Sequence, residues 1–151
     1  MATPRAEKAY EKYAWIILFA WGTFNFIGFL FLTLLGASGD PDLQRIAGIT
    51  WDELSSANPR VASYIDFINR LWGINGLSTV FFVMAISLKS YRRGEKWSWY
   101  ALWSLPVVLG AHIAFQLSYG ASGFTTAFTT VVLIVFLLGL LLPYRKFFPK
   151  K

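Results

Sequence analysis

The sequence lacks cysteine altogether, has a single histidine, and carries charge on only 15% of its 151 residues. Disulfide scaffolds, cysteine zinc sites, iron–sulfur clusters and thiol redox chemistry are excluded, because each of them needs at least one thiolate. One histidine also excludes a bis-histidine haem, so we expect neither a metal nor a cofactor. The charged fraction lies far below the roughly 25% of soluble domains. With 56% hydrophobic residues, this composition excludes a disordered chain and an ordinary soluble domain.

Three tracts contain no Lys, Arg, Asp or Glu: residues 13–39, 71–88 and 97–144. A hydrocarbon core of ~30 Å needs ~20 apolar residues as helix, so the last tract is long enough for two spans. Small residues at 118–123 supply the break between them. The sequence therefore predicts one all-α domain over 1–151, a four-helix transmembrane bundle with spans at about 13–36, 60–90, 97–119 and 124–143. For the first span a cleaved signal peptide is the alternative, although its apolar core exceeds the usual length of about 7–15 residues.

Basic residues are concentrated in alternate connecting segments. The N-terminal segment, the segment between the second and third spans, and the C-terminal tail together hold 11 basic and three acidic residues, a net charge of +8. The opposite side holds three basic and five acidic residues, a net charge of −2. Because Lys and Arg resist translocation, both termini are predicted to be cytoplasmic in a multi-pass cell-membrane protein. We expect membrane lipids, not nucleic acid, as partners of the basic segments, since anionic headgroups attract them.

Residues 37–58 form the longest segment outside the predicted spans. Thr50 is followed three positions later by Glu53, the pattern of a capping box at a helix start. Asn58 and Pro59 give a similar start signal for the second span. We predict two short helices lying at the outer membrane interface, with a solvated connector as the alternative.

Polar side chains recur at helical spacing near the predicted outer ends of the spans. Asp66 and Arg70 lie four residues apart, which favours an ion pair, and His112 and Gln116 repeat the spacing on the third span. Asn75 lies off the Asp66 face and is expected to bridge to another helix. Polar or charged groups within a span need partners or water. The sequence predicts an outward-facing polar cup with an apolar floor, whose ligand-binding residues are Asn25, Asp66, Asn69, Arg70, His112, Gln116, Thr125 and Thr129.

Simpler structural roles are the alternatives for these side chains. Asp66 and Arg70 would form an ion pair that joins two helices, and His112 would be a hydrogen-bonded structural residue. The threonines would bond the carbonyl oxygens four residues earlier in their own helices.

Residues 91–103 (YRRGEKWSWYALW), together with 70–73 (RLWG) and 49–54 (ITWDEL), carry a resemblance to a known group. The sequence resembles prokaryotic four-helix integral membrane proteins that share this basic turn followed by alternating aromatic residues. That group has no assigned activity, so the resemblance implies the topology alone.

Several functions fit this pattern. The first is a non-enzymatic protein that binds a lipid-like or small amphipathic ligand, or a partner helix, in the cup. A membrane enzyme would use His112 with Asp66 as general base and Arg70 to hold an anionic group. A small oligomeric transporter is the third, although the cytoplasmic half is apolar and no inverted repeat is visible. A homo-oligomer or a subunit of a larger membrane complex fits nearly as well as the first.

Overall fold

A computed structural model describes residues 8–36 and 41–149 of the chain. Within these ranges the protein is helical, with no strand, and one π-helical segment at Ser87–Tyr91. The helices are α1 (Ala9–Leu35), α2 (Pro41–Ala47), α3 (Trp51–Ala57), α4 (Pro59–Ile86), α5 (Lys96–Leu102), α6 (Ser104–Ser118), α7 (Gly123–Leu141) and α8 (Tyr144–Phe147).

Four helical segments are long and apolar enough to cross a membrane: Ala9–Leu35, Pro59–Tyr91, Lys96–Ser118 and Gly123–Phe147. They coincide with the four predicted spans to within a few residues at each end. The all-helical prediction is confirmed for the described residues, and four such segments fit a small multi-pass membrane protein. The third segment is interrupted at Trp103, three residues before Pro106. A proline ring blocks the hydrogen bond of the preceding turn, which accounts for a break there.

Helix α1 is the central element of the bundle. It packs along α4 and against α7, and α6 packs on the other side of α7. The α1–α4 contact is close because Gly73 and Gly76 leave room for Thr33 and Phe29 of α1. By contrast, α4 and α6 do not pack closely on each other. These two helices meet through side chains, since the rings of Trp72 and His112 lie 5.5 Å apart.

The buried core lies towards one end of the bundle, where α1 begins and α7 ends. We call this the basic end, because Lys12, Lys89 and Lys146 lie there, and the opposite end the α2–α3 end. Two hydrogen bonds to backbone carbonyls of α7 hold this end together. The Tyr91 hydroxyl donates to the Gly139 carbonyl at 2.7 Å, and Trp99 Nε1 donates to the Leu140 carbonyl at 3.1 Å. The core residues are Leu18, Trp21, Val80, Val83, Tyr91, Leu102, Val132, Phe136, Leu140 and Phe147.

The segment between the first two spans contains the two short helices that the sequence predicts. At the start of α3 the Glu53 N–H donates to Thr50 Oγ1 at 3.3 Å, and the Thr50 N–H donates to the Glu53 carboxylate at 2.8 Å. This is the predicted capping box. Asn58 caps α4, with its Oδ1 accepting from the Val61 N–H at 3.3 Å.

Helix α2 is attached to the turn between α6 and α7. Asp42 accepts the Ser122 N–H at 2.7 Å, and Arg45 Nε donates to the Gly120 carbonyl at 2.8 Å. Burial raises the pKa of Asp42, but the hydrogen bonds from Ser122 and Thr125 outweigh it, so this pKa lies below its ordinary value. Because Ser122 is the N-cap of α7, its bond to Asp42 places the carboxylate at the start of that helix, where the helix dipole favours negative charge.

Candidate ligand cavity

A cavity of about 660 Å³ lies among α1, α4, α6 and α7, on the α2–α3 side of the core. Its size falls within the range of ~300–1,000 Å³ that is usual for small-molecule sites. Its walls are mainly apolar, and its lining includes the aromatic side chains of Trp21, Phe24, Phe29, Trp72 and Phe128. Seven polar residues line it as well, and none of the lining residues is acidic, lysine or arginine: the polar ones are Asn25, Asn75, Thr79, His112, Gln116, Thr125 and Thr129.

Two of the predicted residues, Gln116 and Thr129, are hydrogen-bonded to each other across the cavity wall. Gln116 Nε2 donates to Thr129 Oγ1 at 3.0 Å, and that hydroxyl donates to the Thr125 carbonyl at 3.0 Å. The Thr125 hydroxyl lies 2.8 Å from the Ser122 hydroxyl, which caps α7. This chain joins α6 to α7, while Gln116 Oε1 is buried without a hydrogen-bond partner. Thr129 therefore bonds the carbonyl four residues earlier in its own helix, which is the structural alternative given for the threonines.

Three other lining residues retain unused hydrogen-bonding capacity. Asn25 Nδ2 donates to the Trp21 carbonyl at 2.8 Å, which leaves Asn25 Oδ1 without a partner among the described residues. The His112 ring packs against Trp72, with ring centroids 5.5 Å apart. Within residues 8–36 and 41–149, neither the His112 imidazole nor the side-chain amide of Asn75 makes a hydrogen bond. The expectation that Asn75 bridges to another helix is therefore wrong: its side chain lines the cavity instead.

The three remaining predicted residues, Asp66, Asn69 and Arg70, do not line this cavity. Arg70 Nε donates to Asp66 Oδ2 at 2.7 Å, which confirms the expected ion pair. Arg70 Nη1 also donates to the carbonyls of Thr33 at 3.0 Å and Leu34 at 2.7 Å, at the end of α1. Asn69 Nδ2 donates to the carbonyl four residues earlier, at 3.2 Å. Arg70 therefore closes the end of α1, where carbonyls lack partners within the helix.

Asp66 lines a separate cavity of about 270 Å³ beside α3, together with Trp51 and Ser55. It does not hydrogen-bond to His112, which lines the larger cavity. Asp66 also lies against Gly36, which has a positive φ of 70°. A side chain at Gly36 would overlap the Asp66 carboxylate, so only glycine leaves room for it. The eight predicted residues are thus divided between two places in the fold, five around the larger cavity and three beside the end of α1.

Of the lining residues with a side-chain nitrogen or oxygen atom, sequence reasoning missed four: Trp21, Trp72, Asn75 and Thr79. Trp72, Asn75 and Thr79 recur at helical spacing on α4, so they share a face that does not contain Asp66. That spacing was a usable signal. On α4 the prediction follows the charged pair Asp66 and Arg70, whereas the cavity is lined by neutral residues on another face of that helix.

No group of three or more His, Asp and Glu side chains that could hold a metal ion occurs in the described part of the chain. In comparisons with known proteins, no protein-family model, no curated protein and no solved structure matches this chain.

Proposed function

We propose that the protein is a non-enzymatic membrane protein that binds a neutral, lipid-like amphipathic molecule in the cavity among α1, α4, α6 and α7. The apolar walls would take the hydrocarbon part of the ligand. The polar part would be hydrogen-bonded by Asn25, Asn75 and His112. A charged headgroup is disfavoured, because none of the lining residues is acidic, lysine or arginine and an isolated charge in an apolar site is costly.

The observation that carries this proposal is the unused hydrogen-bonding capacity inside a membrane-spanning segment. A polar group left unpaired in an apolar medium costs several kcal/mol, so amides within spans normally find a partner. Asn25 and Asn75 lie on different helices, yet both turn towards one cavity with capacity to spare. A ligand with polar and apolar parts would supply the missing partners.

The membrane topology is part of the same proposal. We place both termini in the cytoplasm of a cell-membrane protein, with α2 and α3 at the outer interface and basic residues near anionic lipid. Because the chain has no cysteine, single-cysteine variants can be labelled directly in intact cells. Ser55→Cys in α3 should react with a membrane-impermeant maleimide, whereas Arg93→Cys should react only after lysis. The reverse pattern would contradict this orientation.

The alternatives receive less support from the geometry. The enzyme hypothesis pairs His112 with Asp66, but these residues line different cavities and Asp66 is bonded to Arg70. The transporter hypothesis needs a route to both sides, whereas the basic end is filled by buried side chains such as Leu18, Phe136 and Leu140.

Two glycine variants test the proposal. A side chain at Gly28 or at Gly110 would meet nothing within 4 Å, but only Gly28 lines the cavity. Gly28→Phe should therefore fill the cavity, whereas Gly110→Phe should leave it open. Each protein is purified in nanodiscs, and molecules extracted from it are quantified by mass spectrometry. We expect one class of neutral lipid to be retained by the parent protein and by Gly110→Phe, and lost from Gly28→Phe. Equal retention by all three proteins would refute the proposal.

A further inference from the structure

We infer that the ligand carries a planar, neutral ring with two carbonyl oxygens, the headgroup of a lipid-soluble quinone. This inference rests on the proposed function and specifies the chemical class of its ligand. It follows from the shape of the walls, the placement of hydrogen-bonding groups and the absence of charge.

The walls of the cavity are aromatic on several sides. Phe29 and Trp72 meet edge to face, with ring centroids 5.9 Å apart and planes at 90°. Trp72 continues to His112 at 5.5 Å, and Phe24 lies 6.1 Å from Phe128 on the side formed by α1 and α7. Rings that line a site favour a flat guest, because offset-stacked and edge-to-face contacts each stabilise by about 0.5–1.5 kcal/mol beyond the buried area. A flexible acyl chain would gain no such contacts.

The free hydrogen-bonding groups suit the oxygens of such a ring. The side-chain amide of Asn75 and a ring N–H of His112 can each donate one hydrogen bond to a carbonyl oxygen. Asn25 Oδ1 can accept from a hydroxyl, the group that a reduced ring would present. Both the carbonyl and the hydroxyl forms of the ring are neutral, in keeping with a lining that has no acidic, lysine or arginine residue.

The helix arrangement leaves space for a long apolar tail. The backbones of α4 and α6 do not pack closely on each other, and the wall between them is spanned by the ring contact of Trp72 with His112. Val108 and Leu109 line the cavity from α6, and Leu32 lines it from α1. A ring held at Asn75 and His112 would therefore extend its tail towards the surrounding lipid.

Decylubiquinone is the probe and farnesol, a chain with one hydroxyl and no ring, is the comparison compound. Both are titrated into the full-length protein in phosphatidylcholine nanodiscs, and binding is followed by quenching of tryptophan fluorescence and by thermal shift. Trp21 and Trp72 line the cavity, so a bound quinone should quench a saturable fraction of the emission. We expect decylubiquinone to bind at least about tenfold more tightly than farnesol, the effect of one or two ring contacts.

Variants locate the binding and separate the two proposals. Gly28→Phe should abolish the saturable quenching, Gly110→Phe should preserve it, and Asn75→Leu should weaken binding about tenfold through one lost hydrogen bond. Circular dichroism of each variant verifies folding, and the two cavity variants act at different helices. Farnesol binding as tight as decylubiquinone, with both lost in Gly28→Phe, would overturn the ring inference and leave the proposed function standing. Quenching that persists in Gly28→Phe would overturn the ring inference, and equal lipid retention by the same variant would overturn the proposed function.

Discussion

Replacing Arg70 should destabilise the protein by removing the group that closes the end of α1. The guanidinium donates to Asp66 at 2.7 Å and to the carbonyls of Thr33 and Leu34 at 3.0 and 2.7 Å. A buried hydrogen bond to a charged group contributes about 1.5–3 kcal/mol, and an exposed ion pair of this spacing about 0.3–0.5 kcal/mol. The Arg70 side chain is 41% exposed, so each bond lies towards the lower value. We expect Arg70→Met to lower the free energy of unfolding by about 3 kcal/mol, the sum of two such hydrogen bonds and one ion pair at their lower values.

Arg60→Met is the matched control. Arg60 lies one residue into α4, is exposed, and makes no hydrogen bond or ion pair with a described residue. Its replacement should change the free energy of unfolding by less than about 0.5 kcal/mol. Arg70→Lys should recover only part of the loss, because an ammonium group lacks the planar fork that reaches three acceptors.

Unfolding in mixed micelles of dodecyl sulfate and dodecyl maltoside, followed by circular dichroism, gives the free energies for comparison. The reasoning fails if Arg70→Met is no less stable than Arg60→Met. That result would mean that the contacts at the end of α1 contribute nothing to stability. That result would favour a ligand-binding role for Arg70, since an arginine inside a span that does not stabilise the fold is expected to have a function.

Two further predictions concern other parts of the bundle. The lowered pKa of Asp42 means that its carboxylate stabilises the attachment of α2 fully at neutral pH, and that this contribution is lost as pH falls below about 3.9. Asp42→Asn should remove that acid dependence, and the protection factor of the Ser122 amide in hydrogen exchange measures it; a protection factor that does not fall between about pH 6 and about pH 2 would contradict the assignment. A side chain at Gly73 would meet backbone atoms of Thr33 at 2.9 and 3.1 Å. Gly73→Ala should therefore destabilise the α1–α4 contact by about 1–3 kcal/mol in the same micelle assay, while Gly110→Ala should not, and equal stability of the two would show that the contact relaxes freely.

The spans could be predicted from the sequence because they depend on one simple property. A tract without charge that is long enough to cross hydrocarbon has to be helical, since only a helix satisfies its backbone internally. The capping box at Thr50 and the start at Asn58 were equally local and equally readable. The helix ends differ by a few residues, because α1 begins at Ala9 and includes Lys12. Charged and aromatic residues continue a helix beyond the apolar tract without any change in local pattern.

The candidate site could be predicted only in part, because it depends on which faces of the helices meet. Spacing alone correctly paired Asp66 with Arg70 and placed His112 and Gln116 on one face. It could not show that Arg70 turns to α1 through two backbone carbonyls, which carry no sequence signal. Nor could it show that Asn75 faces the cavity, since that depends on how α4 is rotated against α1 by the glycine contacts.

The concentration of buried side chains at the basic end has a consequence for motion. Elements with many buried contacts open only at a free-energy cost near that of global unfolding, whereas sparsely packed parts fluctuate at much lower cost. Leu18, Phe136 and Leu140 are fully buried at one end, while the other half surrounds an internal space of about 660 Å³. The helices should therefore fluctuate more around this space than at the basic end, within the limits set by the Arg70 contacts at the end of α1 and by the attachment of α2 to the α6–α7 turn.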